Sequence, residues 1–302
     1  MKMVNFGGCG PKLVNCLSGL GDPYKQQRMK VLKSVFDFYL DASIHVAMAV
    51  LSLAGVSFLL MGTIPDIKLL GFIFFSVIVG YNFIKYGVEA YKYLIVSNAY
   101  HKFIQAFSFV SFGFSLLFFL RLEVRLWLAI GALGLMSALY AVPFLPRAKN
   151  LRSLAGLKIH IVALVWAGFT VLLPAIDAHL PLDWDFWVLF IQRFLLVLVL
   201  IIPFEIRDLQ WDDPGLRTLP QVLGAKNTRI CGMVMALLFF LMTFLKDEIH
   251  KWELVLRFLL SVVLILMLLD GKRIRDRYFA SFWVEAIPIF WFGAFFLVDV
   301  FF

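Results

Sequence analysis

The stretch from Glu205 to Gly224 is a dense polar island between two long apolar runs. Within it Glu205, Asp208 and Asp212 stand at i, i+3 and i+7, a spacing that on a helix stacks all three carboxylates on one face over two turns. Asp213 adds a fourth acid. Like charges crowded in this way repel, so stability alone is a poor reason for the stripe. A divalent cation relieves the repulsion, and Mg2+ characteristically takes one or two carboxylates together with the phosphates of a substrate. Arg217 and Thr218 follow with donors suited to phosphate oxygens, the arginine fork above all. The competing account of Asp208 and Asp212 is a solvated loop in which they pair with Arg207 and Arg217. At a membrane surface, the first account describes a site for a phosphorylated substrate with an apolar tail.

The elements that must position this island are membrane helices. Hydrophobic residues make up 62% of the 302 and charged ones 16%, a balance foreign to soluble domains. The 33 phenylalanines suit lipid contact and a wide apolar cavity better than a compact aqueous core. Nine stretches have the roughly 17–25 residues that a bilayer requires. They run over about 41–61, 67–85, 103–121, 124–146, 157–176, 184–204, 228–246, 253–269 and 280–301. The fold class expected is all-α: residues 1–35 form a cytoplasmic N-terminal segment, and 36–302 a single domain of nine transmembrane helices around a central lipid-accessible cavity. The island starts where the sixth span ends, at Pro203 and Phe204, near the mouth of that cavity.

The net charge of +8 does not argue for nucleic acid, because its distribution is that of a membrane protein. With the N-terminus cytoplasmic, the inner segments hold Lys30, Lys33, Lys85, Lys92, Lys102, Arg147, Lys149, Arg152, Lys158, Arg207, Arg217, Lys226, Arg229, Lys272 and Arg273 among others. The outer segments hold Lys68, Arg121, Arg125, Lys246 and Lys251. This positive-inside bias sets the orientation and places the island on the cytoplasmic side and the C-terminus outside. A multi-pass location in a prokaryotic cell membrane is expected. The N-terminal 35 residues lack an apolar stretch of signal-peptide length. Cys9, Cys16 and Cys231 fit neither a metal spacing nor a disulfide framework.

The island also resembles a known motif. The pattern Arg207-Asp208-x-x-x-Asp212, then Gly215-x-Arg217-Thr218-Leu219-Pro220-x-x-Leu223-Gly224, is similar to the second aspartate-rich motif of the UbiA family of intramembrane prenyltransferases. A second match is Tyr140-Ala-Val-Pro143-Phe-Leu-Pro146-Arg147-x-Lys149, which resembles the family's Tyr-x-x-Pro-x-x-x-Lys element. The resemblance covers about residues 40–300 and implies nine helices around a cavity. It further implies that an isoprenoid diphosphate ionises and its allylic cation alkylates a hydrophobic, often aromatic, acceptor. Loss of diphosphate builds negative charge on the leaving group, so Mg2+ and fixed cations aimed there stabilise the transition state. On this resemblance Asp208, Asp212 and Glu205 hold Mg2+. Asn82, Lys85, Tyr140, Arg147, Lys149 and Arg217 surround the diphosphate. The implied activity is transfer of an alkyl group other than methyl; the implied partners are an isoprenoid diphosphate, a hydrophobic acceptor and membrane lipid.

The departure is as informative as the match. The family's first motif, Asn-x-x-x-Asp-x-x-x-Asp, falls on Asn82, Tyr86 and Ala90, so both aspartates are missing; Glu89 lies one position off, and Lys85 adds a positive charge. Three accounts are open: a rebuilt site with one Mg2+ and Lys85 pairing with the diphosphate; recruitment of Asp37 and Asp41, which with His45 would share a helical face; or a catalytically degenerate relative that binds a lipid or quinone-like ligand. Gln192, Arg193 and Glu285 within spans are expected to face the interior or each other. A transporter is disfavoured, since no pair of interrupted helices recurs in the two halves.

Overall fold

The computed structural model of this chain describes residues 23–86, 99–141, 156–212, 214–250, 252–276 and 278–301, and these contain helices and no strands. We number the long helices α1 (Pro23–Asp41), α2 (Ile44–Leu60), α3 (Ile67–Tyr86), α4 (Ala99–Phe119), α5 (Val124–Ala141), α6 (Leu157–Asp177), α7 (Trp184–Asp208), α8 (Leu219–Leu241), α9 (Glu253–Leu269) and α10 (Phe279–Phe301). Each expected span falls on one of α2–α10. By length and hydropathy seven of the described helices can cross a bilayer, and α1 with α2 makes an eighth if that bent pair is one span. The 17 residues of α9 correspond to about 25 Å, short of the hydrocarbon thickness.

Helix α7 is the axis of the fold. Its N-terminus is capped by Asp183, whose Oδ1 accepts from the Phe186 N–H at 3.0 Å. It is buried along most of its length and packs on α6 and α8, while α10 runs against α2 and α3 pairs with α4. Polar residues in the spans point inward, as burial requires. Gln192 donates to Phe239 O at 3.1 Å and Thr243 Oγ1 at 3.3 Å. Arg193 donates to Leu53 O at 2.7 Å and Ser57 Oγ at 3.0 Å, and its guanidinium lies over Trp291. Arg193 therefore ties α7 to α2 and does not pair with Glu285.

Two local features differ from the sequence expectation. The first is a 54° bend between α1 and α2 at Ala42 and Ser43, where Ser43 adopts φ 62°. Asp37, Asp41 and His45 therefore do not share one continuous helical face. The second concerns the acidic stripe. Helix α7 runs through Pro203 and ends at Asp208, so Glu205 and Asp208 are helical but Asp212 is not. Asp212 follows in a turn closed by its N–H donating to Asp208 O at 3.0 Å.

Beyond that turn, the Gln221 side chain accepts from the Thr218 N–H at 2.9 Å, and Pro220 fills the first turn of α8. Gly224 then interrupts the helix at φ 77°, ψ 153°, a conformation in which any Cβ would be strained. The span proper begins after it.

Candidate functional site

The acids of the island meet cations from two helices. Lys158, in the first turn of α6, places Nζ 2.7 Å from Glu205 Oε1 and 3.8 Å from Asp212 Oδ2. Arg207 grips the neighbouring Asp208 with two bonds, Nε at 2.7 Å and Nη2 at 3.2 Å, and uses Nη1 to donate to Ser281 Oγ of α10 at 3.0 Å. Two of the three acids therefore have close cationic partners within the chain.

Asp212 differs. Its Oδ2 is buried without a hydrogen-bond partner, since the 3.8 Å to Lys158 exceeds hydrogen-bond reach. An orphaned carboxylate oxygen is costly in a buried position unless something else binds it. One turn from Asp208, it offers with that residue a donor pair that fits a single Mg2+ brought in with substrate phosphates. Glu205 is engaged by Lys158 as Asp208 is by Arg207, so either acid would exchange an internal cation for a metal ion. No group of three or more His, Cys, Asp or Glu able to hold a metal occurs among the described residues.

The side chains at the end of α3 brace the α1–α2 bend. Asn82 is fully buried; its Nδ2 donates to Ala42 O at 3.1 Å and Ser108 Oγ at 2.8 Å, and its Oδ1 accepts from Ser43 Oγ at 2.8 Å. The amide expected against a diphosphate is thus occupied in holding two helices together. Lys85 Nζ donates to Leu40 O at 3.3 Å, and Tyr86 donates from its hydroxyl to Asp41 O at 3.3 Å. The charged groups that act on Lys85 are Glu285, Asp41 and Arg207. Asp37 accepts from Tyr278 at 2.9 Å, and Asp41 Oδ2 accepts from Tyr100 at 2.8 Å, so both acids recruited in the second account are hydrogen-bonded to phenols.

Two pockets lie among these helices, and Glu205 lines the first. One, of about 330 Å3, is lined by Lys158, His160, Glu205, Arg217, Thr218 and Leu219. Arg217 is exposed there and takes φ 46°, an uncommon backbone conformation for a side chain of this size. The other is an apolar slot of about 160 Å3 among α3, α5 and α6, whose walls include Gly80, Tyr81, Tyr140, Val165, Trp166 and Phe169. A dry cavity of that size accepts a group as large as benzene. Trp166 Nε1 donates to the Tyr81 hydroxyl at 2.8 Å across this slot. Tyr140, a wall of the slot, is buried and lies close enough to interact electrostatically with both Lys158 and Tyr81. Arg147, Lys149, Glu89 and Ala90 fall outside the described residues.

Ser281 and Tyr81 join the site without having been assigned to it from sequence, and the pairing of Lys158 with Glu205 is not legible there either. A basic residue at the start of a span reads as a positive-inside marker, and its pairing partners lie some fifty residues away.

No protein-family profile matches the sequence, and no curated protein matches it. Solved structures do resemble the fold. A UbiA homologue from Aeropyrum pernix K1, in its apo form, aligns with a TM-score of 0.64 at 15% identity, covering 85% of this chain and 98% of that one. A digeranylgeranylglyceryl phosphate synthase aligns at 0.55 and 14% identity, covering 88% and 98%. A UbiA homologue from Archaeoglobus fulgidus bound to GPP and Mg2+ aligns at 0.55 and 13% identity, covering 86% and 98%. This chain has the UbiA fold, over nearly the whole length of each of those proteins.

Proposed function

We propose that this protein transfers a prenyl group from an isoprenoid diphosphate to a hydrophobic acceptor at the cytoplasmic membrane face, with one Mg2+ entering alongside the diphosphate. The observation that carries the reading is the closeness in the chain of Asp208 and Asp212, one turn apart beside Arg207 and Lys158, with Asp212 Oδ2 buried and without a hydrogen-bond partner. The ligands bound to the Archaeoglobus neighbour, GPP and Mg2+, have the chemistry that this arrangement suits.

In this reading Asp208 and Asp212 hold the ion, which when bound supplies Lewis-acid neutralisation of the departing diphosphate. Lys85 takes the place that the missing aspartates of the first motif would give to a second ion, contributing a fixed positive charge. Arg217 offers a fork to phosphate oxygens from the other side. Tyr81, Tyr140 and Trp166 give π faces beside the slot, where an allylic cation gains cation–π stabilisation and is kept from water.

The test is diphosphate release by the purified protein in nanodiscs offered GPP and Mg2+. Saturable release that vanishes in Asp208→Asn supports transfer chemistry. The loss of both first-motif aspartates, and the use of Asn82 and Tyr86 as braces, favours a second reading: a protein that binds a lipid or quinone-like ligand without ionising a diphosphate. Tight GPP binding without release would point to it.

A further inference from the structure

The loop that joins α9 to α10 lies at the same end of the bundle as the acidic turn, since Arg207 of α7 donates to Ser281 just beyond it at 3.0 Å. Its sequence carries Lys272, Arg273, Arg275 and Arg277 against Asp270 and Asp276, a net positive charge. Helix α9 is short, about 25 Å, so the loop lies no farther out than the headgroup layer of a bilayer. A basic segment at that depth draws anionic lipid.

Below the loop the two helices part. Helix α9 packs mainly on α8 and α10 on α2, and between them runs a groove of about 790 Å3, within the roughly 300–1,000 Å3 of ligand pockets. Its walls are apolar: Val263, Leu266 and Met267 from α9, and Phe279, Trp283 and Phe290 from α10. Val263, Leu266, Trp283 and Phe290 are exposed along it, so the groove opens away from the bundle, where the bilayer lies. The α10 wall from Phe279 to Phe290 covers about 15 Å, the depth of one leaflet of a roughly 30 Å core. With no water at that depth, a lipid chain is what fills such a groove.

The head of the groove has polar chemistry of its own. Asp270 holds Arg273 at two points: Oδ1 accepts from the Arg273 N–H at 3.2 Å, and Oδ2 lies 3.1 Å from Nε. Held through Nε, the guanidinium presents its two Nη groups as a fork, the geometry that matches phosphate oxygens. Asp276 stands on the same rim with an exposed carboxylate, an acceptor for a hydroxyl. We propose that the groove seats an anionic phospholipid with a hydroxyl-bearing headgroup, of the phosphatidylglycerol kind. One acyl chain lies between α9 and α10, the phosphate meets the Arg273 fork, and a headgroup hydroxyl donates to Asp276. A choline headgroup offers no hydroxyl, and its positive charge forfeits the attraction of the basic loop. The seat shares a wall with the acidic turn: the π-helical segment Phe279–Val284 gives Phe279, Trp283 and Val284 to the groove and Ser281 to Arg207. The assignment is independent of the transfer reading.

Brominated lipid reads the seat directly, because bromine on an acyl chain quenches a tryptophan it touches and Trp283 lines the groove. Full-length protein in detergent micelles is titrated with phosphatidylglycerol, phosphatidylethanolamine or phosphatidylcholine carrying dibrominated chains. Phosphatidylglycerol is expected to quench at about tenfold lower concentration than the other two, the discrimination of one charge-assisted fork. Trp283→Phe should remove that high-affinity quenching, and Arg273→Gln should abolish the preference. Lys226→Gln removes an equal charge from the same end of the bundle, outside the groove, and should keep it. Equal quenching by the three lipids overturns the proposal, as does a preference that survives Arg273→Gln or Trp283→Phe. A preference that Lys226→Gln weakens as much as Arg273→Gln overturns it too, as the general pull of a basic surface. Stronger quenching by phosphatidylethanolamine would overturn the anionic assignment and hand the rim to an ammonium group on Asp276.

Discussion

Lys158 Nζ lies 2.7 Å from Glu205 Oε1, and the Glu205 side chain is almost wholly buried. One ammonium group thereby fastens the first turn of α6 to the last turns of α7. Removing one partner of a buried ion pair leaves an uncompensated charge, which typically costs about 3–5 kcal/mol, whereas replacing both by apolar or neutral groups is often close to neutral. Lys158→Met is therefore expected to lower the thermal midpoint of the detergent-solubilised protein by several degrees, and Lys158→Met with Glu205→Gln to recover most of the loss. Additive losses in the double variant would mean that the pair is not coupled.

The acidic turn should separate function from folding. Asp208→Asn frees Arg207 and Asp212→Asn removes the orphaned oxygen, yet neither disturbs the packed length of α7. Each is expected to reduce diphosphate release by about two orders of magnitude or more, in the range found when a transition-state charge partner is lost. Expression and thermal midpoint should stay close to wild type. Wild-type turnover in both variants would remove the metal assignment.

Lys85 is the position where the two readings of the first motif part. If it neutralises the diphosphate, Lys85→Ala should weaken GPP binding or turnover about a hundredfold, since charge-assisted contacts are among the strong ones. Lys68→Ala, which removes a surface charge paired with Asp66 at 3.5 Å, should change little. Equal, small effects at both positions would favour the binder without chemistry.

Orientation can be read by labelling. In a background with Cys9, Cys16 and Cys231 changed to serine, Leu180→Cys should react with an impermeant thiol reagent in intact cells, and Gly215→Cys should not. The reverse pattern would put the acidic turn outside and contradict delivery of substrate from the cytosol.

Much of the architecture could be read from the chain because membrane spans announce themselves: long apolar runs and a lysine–arginine asymmetry mark helices regardless of how they pack. The acidic turn was legible for the same reason, as charge set against an apolar background. What escaped were relations between distant positions. Lys158 pairs with Glu205 and Asp212 only because α6 and α7 are neighbours in space. The bend at Ser43 leaves no trace in periodicity, since no Gly or Pro marks it and apolar residues continue on both sides. The end of α7 at Asp208 was missed because the spacing of Glu205, Asp208 and Asp212 suits a helix as well as it suits a helix followed by a turn.

The brace at the α1–α2 bend bears on how this chain could change. Asn82, Lys85 and Tyr86 reach the carbonyls of Ala42, Leu40 and Asp41, respectively. An aspartate at 86 would withdraw the phenol from Asp41 and set a carboxylate facing a carbonyl and an acid. Building an acidic pair at 86 and 90 is therefore not a matter of replacing two residues. The first step would loosen the joint between the first two helices before any second ion could compensate, so the path to a two-ion site runs through a less stable intermediate. The end of α3 is a structural strut, so any change of charge there acts on the α1–α2 joint as well as on a ligand nearby.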